Sequence, residues 1–265
     1  MTPRTGSGPV LRLDDDAYLD REYHTSLADE IRGSGGQWVG SDHYAKPAAI
    51  IATAVDVGAT ALRISLRDLT PLEEVPGLWH VDVGSDGAKA LGPLQSLTGL
   101  RSLNLDVRGI KGEFDPLALP ELRWLKSPLG GKGGAQVLDG LQRGHDHLAH
   151  LRVRETKVRS VGELVGALPR LETMSLSYAD FVRSPGDLGP VGGTLRELRM
   201  DMLPGLRSLD GIGTAPLLER FALKFHGVTD LEPLLALPHL REVDVTLRGG
   251  VRITDLDALR AHVEA

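Results

Sequence analysis

The sequence predicts an α/β solenoid in which short repeats stack into one parallel sheet of about nine strands. The first observation is a hexapeptide, L-x-x-L-x-L, that returns nine times, starting at Ala61, Leu78, Leu100, Leu122, Leu148, Leu171, Leu195, Leu218 and Leu240. Leu100-Arg101-Ser102-Leu103-Asn104-Leu105 and Leu240-Arg241-Glu242-Val243-Asp244-Val245 are among its clearest copies. The second is the spacing. Successive starts lie 17, 22, 22, 26, 23, 24, 23 and 22 residues apart, enough for one strand and one return segment each. The third is composition: 41% of residues are hydrophobic but only 4% aromatic, so stacked aliphatic ladders must fill the core. The link from each strand to its parallel successor is expected to be right-handed.

Residues 1–60 lack the repeat. Asp14, Asp15 and Asp16 stand before Leu19, Tyr23, Leu27 and Ile31, which recur every four residues up to Gly33. That spacing predicts an amphipathic helix whose acidic start complements its dipole. Residues 34–46 read as a loop around Trp38 and Tyr44. Pro47 then opens an apolar helix over 48–57, and Gly58 stops it. Because the end of a solenoid exposes raw core, we read residues 1–60 as an N-terminal helical cap and 61–250 as the repeats. Residues 251–265 read as a C-terminal capping helix with Thr254 as its N-cap.

Within a repeat, the fourth and sixth hexapeptide positions point inward, and the third, fifth and seventh face solvent. Leu103, Leu105, Leu151, Val153, Leu198, Met200, Val243 and Val245 are therefore predicted core. A second pattern follows the strand: Leu69-Thr70-Pro71-Leu72, Leu91-Gly92-Pro93-Leu94, Phe114-Asp115-Pro116-Leu117 and Leu231-Glu232-Pro233-Leu234. An early Pro followed by Leu predicts short 3₁₀ or α turns on the convex side. In these residues the chain resembles the internalin-like class of bacterial leucine-rich repeat proteins, over roughly residues 59–250. The resemblance implies a horseshoe with a concave parallel sheet and says nothing about the partner. One departure stands out. That class usually places an asparagine at the ninth position to bond neighbouring turns, where this chain has Leu69, Asp86, Arg108, Thr156, Ala179, Leu203, His226 and Arg248. A less regular solenoid with altered strand-end turns is expected.

The formal charge is −6 with both signs interspersed, which offers no basic face for nucleic acid and no polybasic membrane signal. The chain has no cysteine, and with it no disulfide, thiolate metal site or cysteine nucleophile. Its first residues lack the apolar stretch of a signal peptide, and its uninterrupted apolar runs, such as 48–51 and the adjoining Ala52, are far too short to span a bilayer. A soluble, cytoplasmic protein is expected. The abundance of Ala, Gly, Arg, Asp and Leu suits a GC-rich bacterium.

Three segments carry a superficial chemistry. His145-Asp146-His147-Leu148-Ala149-His150 is close to a metal-binding run, but Ala149 stands where an aspartate is needed and the histidines cross a loop-to-strand junction. A zinc or nickel ion on two of His145, His147 and His150 with Asp146 is the minority reading; solvated loop histidines and one concave-face histidine are the plainer one. Asp14–Asp16 reads as a charged helix start rather than a magnesium site. Gly130–Gly134 has Gly133 where a phosphate loop needs Ser or Thr, so a loop tip is expected. No catalytic residue is assigned, because triad members meet in space rather than in sequence. No metal or cofactor is expected.

The outward positions map a concave surface with a candidate centre. Trp124 is read as projecting to solvent, beside Lys126, His150, Arg152 and Arg154, with Arg199 further along. Trp and Arg are frequent interface anchors. The reading favoured is a non-catalytic module that binds another protein (a scaffold, inhibitor or immunity-type binder), with neither nucleic acid nor membrane as partner. The alternative is a small-molecule or enzymatic site around Trp124, His150 and Arg152.

Overall fold

The computed structural model describes residues 10–11, 38–40, 47–65, 67–75, 77–84, 90–107, 110, 113–247 and 256–264. Among them, eleven strands form one sheet in strict chain order. They are β1 (Val10–Leu11), β2 (Trp38–Gly40), β3 (Ala61–Ile64), β4 (His80–Val83), β5 (Ser102–Leu105) and β6 (Trp124–Pro128). β7 (His150–Arg154), β8 (Thr173–Ser177), β9 (Glu197–Asp201), β10 (Arg220–His226) and β11 (Glu242–Leu247) complete it. β3 to β11 are the nine predicted repeat strands, and all pair in parallel.

Two findings at the start of the sheet correct the sequence reading. Trp38 does not sit in a loop: it opens β2, which pairs in parallel with β3, while β1 pairs antiparallel with β2. The free edge of β3 offers unpaired backbone groups that an added strand satisfies. The first repeat also shifts phase. Ala61 is opposite His80, a third-position residue, so the repeat starts at the fully buried Ala59. Because side chains alternate with period two, a slip of two residues leaves the same side chains inside and outside, and the pattern cannot reveal it.

The inward row runs Leu62, Val81, Leu103, Leu125, Leu151, Met174, Leu198 and Phe221, each 2% exposed or less. Leu105, Val153 and Met200 are buried in the next row, as predicted. Val243 and Val245 are only half-buried. Their strand, β11, has a sheet neighbour on one side only.

Convex turns fall where the Pro pattern places them. Thr70–Glu74, Gly92–Ser96, Pro116–Ala118, Gly189–Val191 and Glu232–Ala236 are 3₁₀, each with Pro in its first turn. Leu72, Leu94 and Leu234 anchor three of them in the core. The fourth and fifth repeats use α-helices instead, α2 (Gly131–Arg143) and α3 (Gly162–Val165). The glycine-rich run is thus the first turn of a helix and not a loop tip. Val137 and Leu141, four residues apart, face the core. A Cβ on Gly134 would collide with the Leu129 backbone, and one on Gly140 would lie 2.6 Å from Pro116 Cδ. Glycine here buys close helix packing, which composition alone reads as flexibility.

α1 (Pro47–Asp56) forms as predicted, and Gly58 ends it at a left-handed φ of +61°. α4 (Leu256–Glu264) packs on the last repeat through buried Leu259 and a 3.0 Å hydrogen bond between His262 Nε2 and the Leu237 carbonyl. Asp14–Asp16, the helix predicted from Leu19 to Ile31, and Thr254 lie outside the described residues. At the ninth position, Ala179 and Leu203 are fully buried apolar replacements for an amide, while Thr156 Oγ1 accepts the Val158 N–H at 3.4 Å. One residue earlier, Glu155, Tyr178 and Met202 adopt left-handed φ of 58°, 55° and 53°. The strand-end turns do differ from a regular ladder.

Candidate binding surface

Parallel register lines up the outward residues in rows about 4.8 Å apart from strand to strand. The third-position row is Ala61, His80, Ser102, Trp124, His150, Thr173, Glu197, Arg220 and Glu242. The fifth-position row is Arg63, Asp82, Asn104, Lys126, Arg152, Ser175, Arg199, Ala222 and Asp244. Trp124 and Lys126 therefore lie directly opposite His150 and Arg152. Arg154 is opposite Pro128, and Arg199 is separated from Arg152 by Ser175. The sheet gathers four of the six predicted residues on two strands, places Arg154 at the end of the same pair and sets Arg199 apart.

Burial corrects the reading of Trp124 as a solvent-facing side chain. It is 4% exposed, and His80, Asp82, Ser102, Asn104 and Lys126 around it are each 5% exposed or less. The face over β4–β6 is thus enclosed, whereas His150, Arg152, Arg154, Thr173 and Ser175 are half-buried and Arg199 is exposed. An outward register position states which face a side chain occupies and not what covers that face.

Charges on this surface are locally balanced. Arg154 Nη2 reaches Asp106 Oδ1 at 2.5 Å, and Lys224 Nζ reaches Asp244 Oδ2 at 2.7 Å. Arg199 and Arg220 both pair with Glu197, the latter at 2.9 Å. Of the predicted cations, Arg154 and Arg199 thus each face a carboxylate through a charge-assisted contact. Two histidines repeat one motif. His80 Nδ1 is 2.7 Å from Ser102 Oγ, and His150 Nδ1 is 2.8 Å from Thr173 Oγ1.

Burial pushes the His80 imidazole down to about 3 and also lowers His145. Below their ordinary value near 6.5, the unfolded chain binds protons that the folded chain refuses, so stability falls as pH drops through this window. The thermal midpoint is expected to decline between pH 7 and 5, and less so in a His80→Gln/His145→Gln chain. A wild-type midpoint that stays flat over that range would show that both rings accept protons in the fold.

The three histidines of the minority metal reading do not meet. His145 is buried with Nε2 3.0 Å from the Leu119 carbonyl, its Nδ1 faces the His147 N–H at 3.4 Å, and His150 is engaged with Thr173. Among the described residues no group of three or more His, Cys, Asp or Glu side chains is placed to hold a metal ion. None of their helices is long and apolar enough to cross a membrane.

No family model matches the chain, and no curated protein matches it in sequence. Among solved structures it is similar to an internalin, inlF, from Listeria monocytogenes, at 18% identity and a TM-score of 0.55. That match covers 85% of this chain but 64% of the other, so the chain spans less than two thirds of the longer protein. Internalin C2 of the same organism matches at 17% identity and a TM-score of 0.46 over 84% of each chain. The repeat register, the concave parallel sheet and the similarity to inlF together establish a leucine-rich repeat horseshoe as the fold of this chain.

Proposed function

We propose that the chain is a non-catalytic protein-interaction module, of scaffold, inhibitor or immunity type, that receives another protein on its concave sheet. The observation that carries this reading is the half-open, charge-alternating face over β7–β11, held on one continuous sheet. A rigid surface of paired charges loses little entropy on docking and rewards a partner of matching pattern. His150, Arg152, Arg154 and Arg199 are the contact residues in this proposal, while Trp124 and Lys126 support them from the enclosed side. Residues 1–60 and 251–265 act as end caps in the same reading. The test is affinity capture from the native host with wild type and an Arg152→Glu/Arg199→Glu chain. A protein retained in near-stoichiometric amount by wild type and lost by the variant supports the proposal; a partner held equally by both places the interface elsewhere.

A second reading has its own observation. Over the enclosed part of the face, Asn104 is buried and its Oδ1 has no hydrogen-bond partner among the described residues. A buried acceptor left unpaired costs stability unless something satisfies it. A small donor-bearing ligand near Trp124, His150 and Arg152 would do so. Thermal shifts with a library of small polar metabolites, abolished by Asn104→Leu, would favour this reading over the first.

A further inference from the structure

A smaller repeat is nested in the larger one. Val158-Arg159-Ser160, Val182-Arg183-Ser184 and Leu206-Arg207-Ser208 recur at intervals of 24 residues. In each triplet the apolar residue is buried and the arginine exposed. The Arg183 N–H donates to the Arg159 carbonyl at 2.8 Å, and the Arg207 N–H to the Arg183 carbonyl at 2.9 Å. Ser160 and Ser184 form a parallel bridge beside them. The three arginines therefore stack in register along a narrow ribbon on the flank of the solenoid, away from the concave rows.

Among the described residues no carboxylate forms an ion pair with this ladder, although Glu163 Oε2 accepts the Arg159 backbone N–H at 3.1 Å. Arg143, Arg154, Arg196, Arg199 and Arg220 each pair with a carboxylate. Arg159, Arg183 and Arg207 pair with none among the described residues. Instead Arg183 Nη1 donates to the Gly205 carbonyl at 3.0 Å, and Arg207 Nη1 to the Pro204 carbonyl at 2.8 Å. Two guanidinium groups are thus held by neutral acceptors that leave their charge uncompensated. Like charges in register weaken a fold, and the eighth repeat has Val228-Thr229-Asp230 at the corresponding place. The carbonyl hydrogen bonds hold Arg183 and Arg207 in place, but they give no carboxylate to the charge.

Exposed apolar side chains lie shortly before the ladder arginines in the sixth and seventh repeats. Phe181 is 52% exposed two residues before Arg183, and Tyr178 and Met202 are 55% and 39% exposed. Tyr178 and Met202 also hold left-handed φ, a conformation that glycine or asparagine adopts far more readily. The same φ at Glu155, the equivalent position of the preceding repeat, makes it a property of the strand-end turn; what sets Tyr178 and Met202 apart is that the turn presents large apolar side chains outward, and Tyr, Phe and Met are residues that interfaces favour.

We propose that this flank, Arg159, Arg183 and Arg207 with Tyr178, Phe181 and Met202, docks an acidic segment of a partner protein in which aspartate or glutamate alternates with apolar residues. Carboxylates meet the guanidinium ladder through charge-assisted hydrogen bonds, and the exposed apolar side chains favour a peptide over a plain polyanion. The surface is separate from the concave face and does not rest on the reading proposed for it.

The probe is a phage-displayed library of random twelve-residue peptides, panned on the full chain. The expected binders interleave acidic and apolar residues and weaken as salt rises. They bind at least tenfold more weakly to Arg183→Glu/Arg207→Glu and to Phe181→Ser, and equally well to Arg152→Glu. Phe181→Ser removes only an exposed side chain, so it tests the surface even if the charge reversal loosens the loop around Gly205. Binders without acidic enrichment, or indifferent to both flank variants, overturn the proposal. So does loss with Arg152→Glu alone, which moves docking to the concave face, and so does equal binding of polyglutamate or duplex DNA, which reduces the flank to a charge field.

Discussion

Trp124→Ala is expected to destabilise the fold by about 3–5 kcal/mol, the range for truncating a buried large aromatic. Trp124 sits on the outward row between Ser102 and His150 yet is 4% exposed, so its removal leaves a cavity among buried polar neighbours. His80, Asp82, Asn104 and Lys126 would then lose part of the enclosure that they share with the indole. Denaturant unfolding followed by far-ultraviolet circular dichroism measures the change, and Trp124→Phe should recover a good part of it. A loss below about 1 kcal/mol, well under that truncation range, together with lost partner binding would restore the indole to the role of a surface anchor.

Gly211→Ala is expected to cost about 2–5 kcal/mol, combining left-handed strain with overpacking. Gly211 has φ of 88° and begins the 3₁₀ turn Ile212–Thr214. A Cβ there would run into the carbonyl of Gly186, the corresponding turn of the preceding repeat, which is itself left-handed at 69°. The backbone of one repeat rests on the backbone of the next, and neither can retreat without breaking the Gly186 N–H to Asp210 carbonyl bond of 3.0 Å. Equilibrium unfolding of the variant should show a lower midpoint. Gly58→Ala is the comparison: it is also left-handed, at a milder 61°, with nothing within 4 Å of the added methyl. If both variants lose the same stability, contact between repeats at Gly211 contributes nothing.

Much of the fold was legible in sequence because solenoid contacts are local in character. Each repeat touches only its neighbours, so the L-x-x-L-x-L phase translates directly into the buried rows of Leu103, Leu125 and Leu151. Pro71, Pro93 and Pro233 likewise announced their turns, since a residue with fixed φ and no N–H suits a first turn. The arginine ladder is also written there, as an apolar-Arg-Ser triplet every 24 residues that falls between the leucine hexapeptides.

By itself, then, the sequence determined the repeat architecture, the inward and outward faces and the place of the convex turns. These depend on periodicity, and periodicity is a one-dimensional property. Only the tertiary structure decided the phase of the first repeat, the strand at Trp38, the helix built from Gly131–Arg143, the enclosure of Trp124 and the pairing of Arg154 with Asp106. Each of these depends on a group distant in the chain. A period of two cannot detect a slip of two, a glycine run reads alike whether it is loose or closely packed, and no local pattern states what lies across a face.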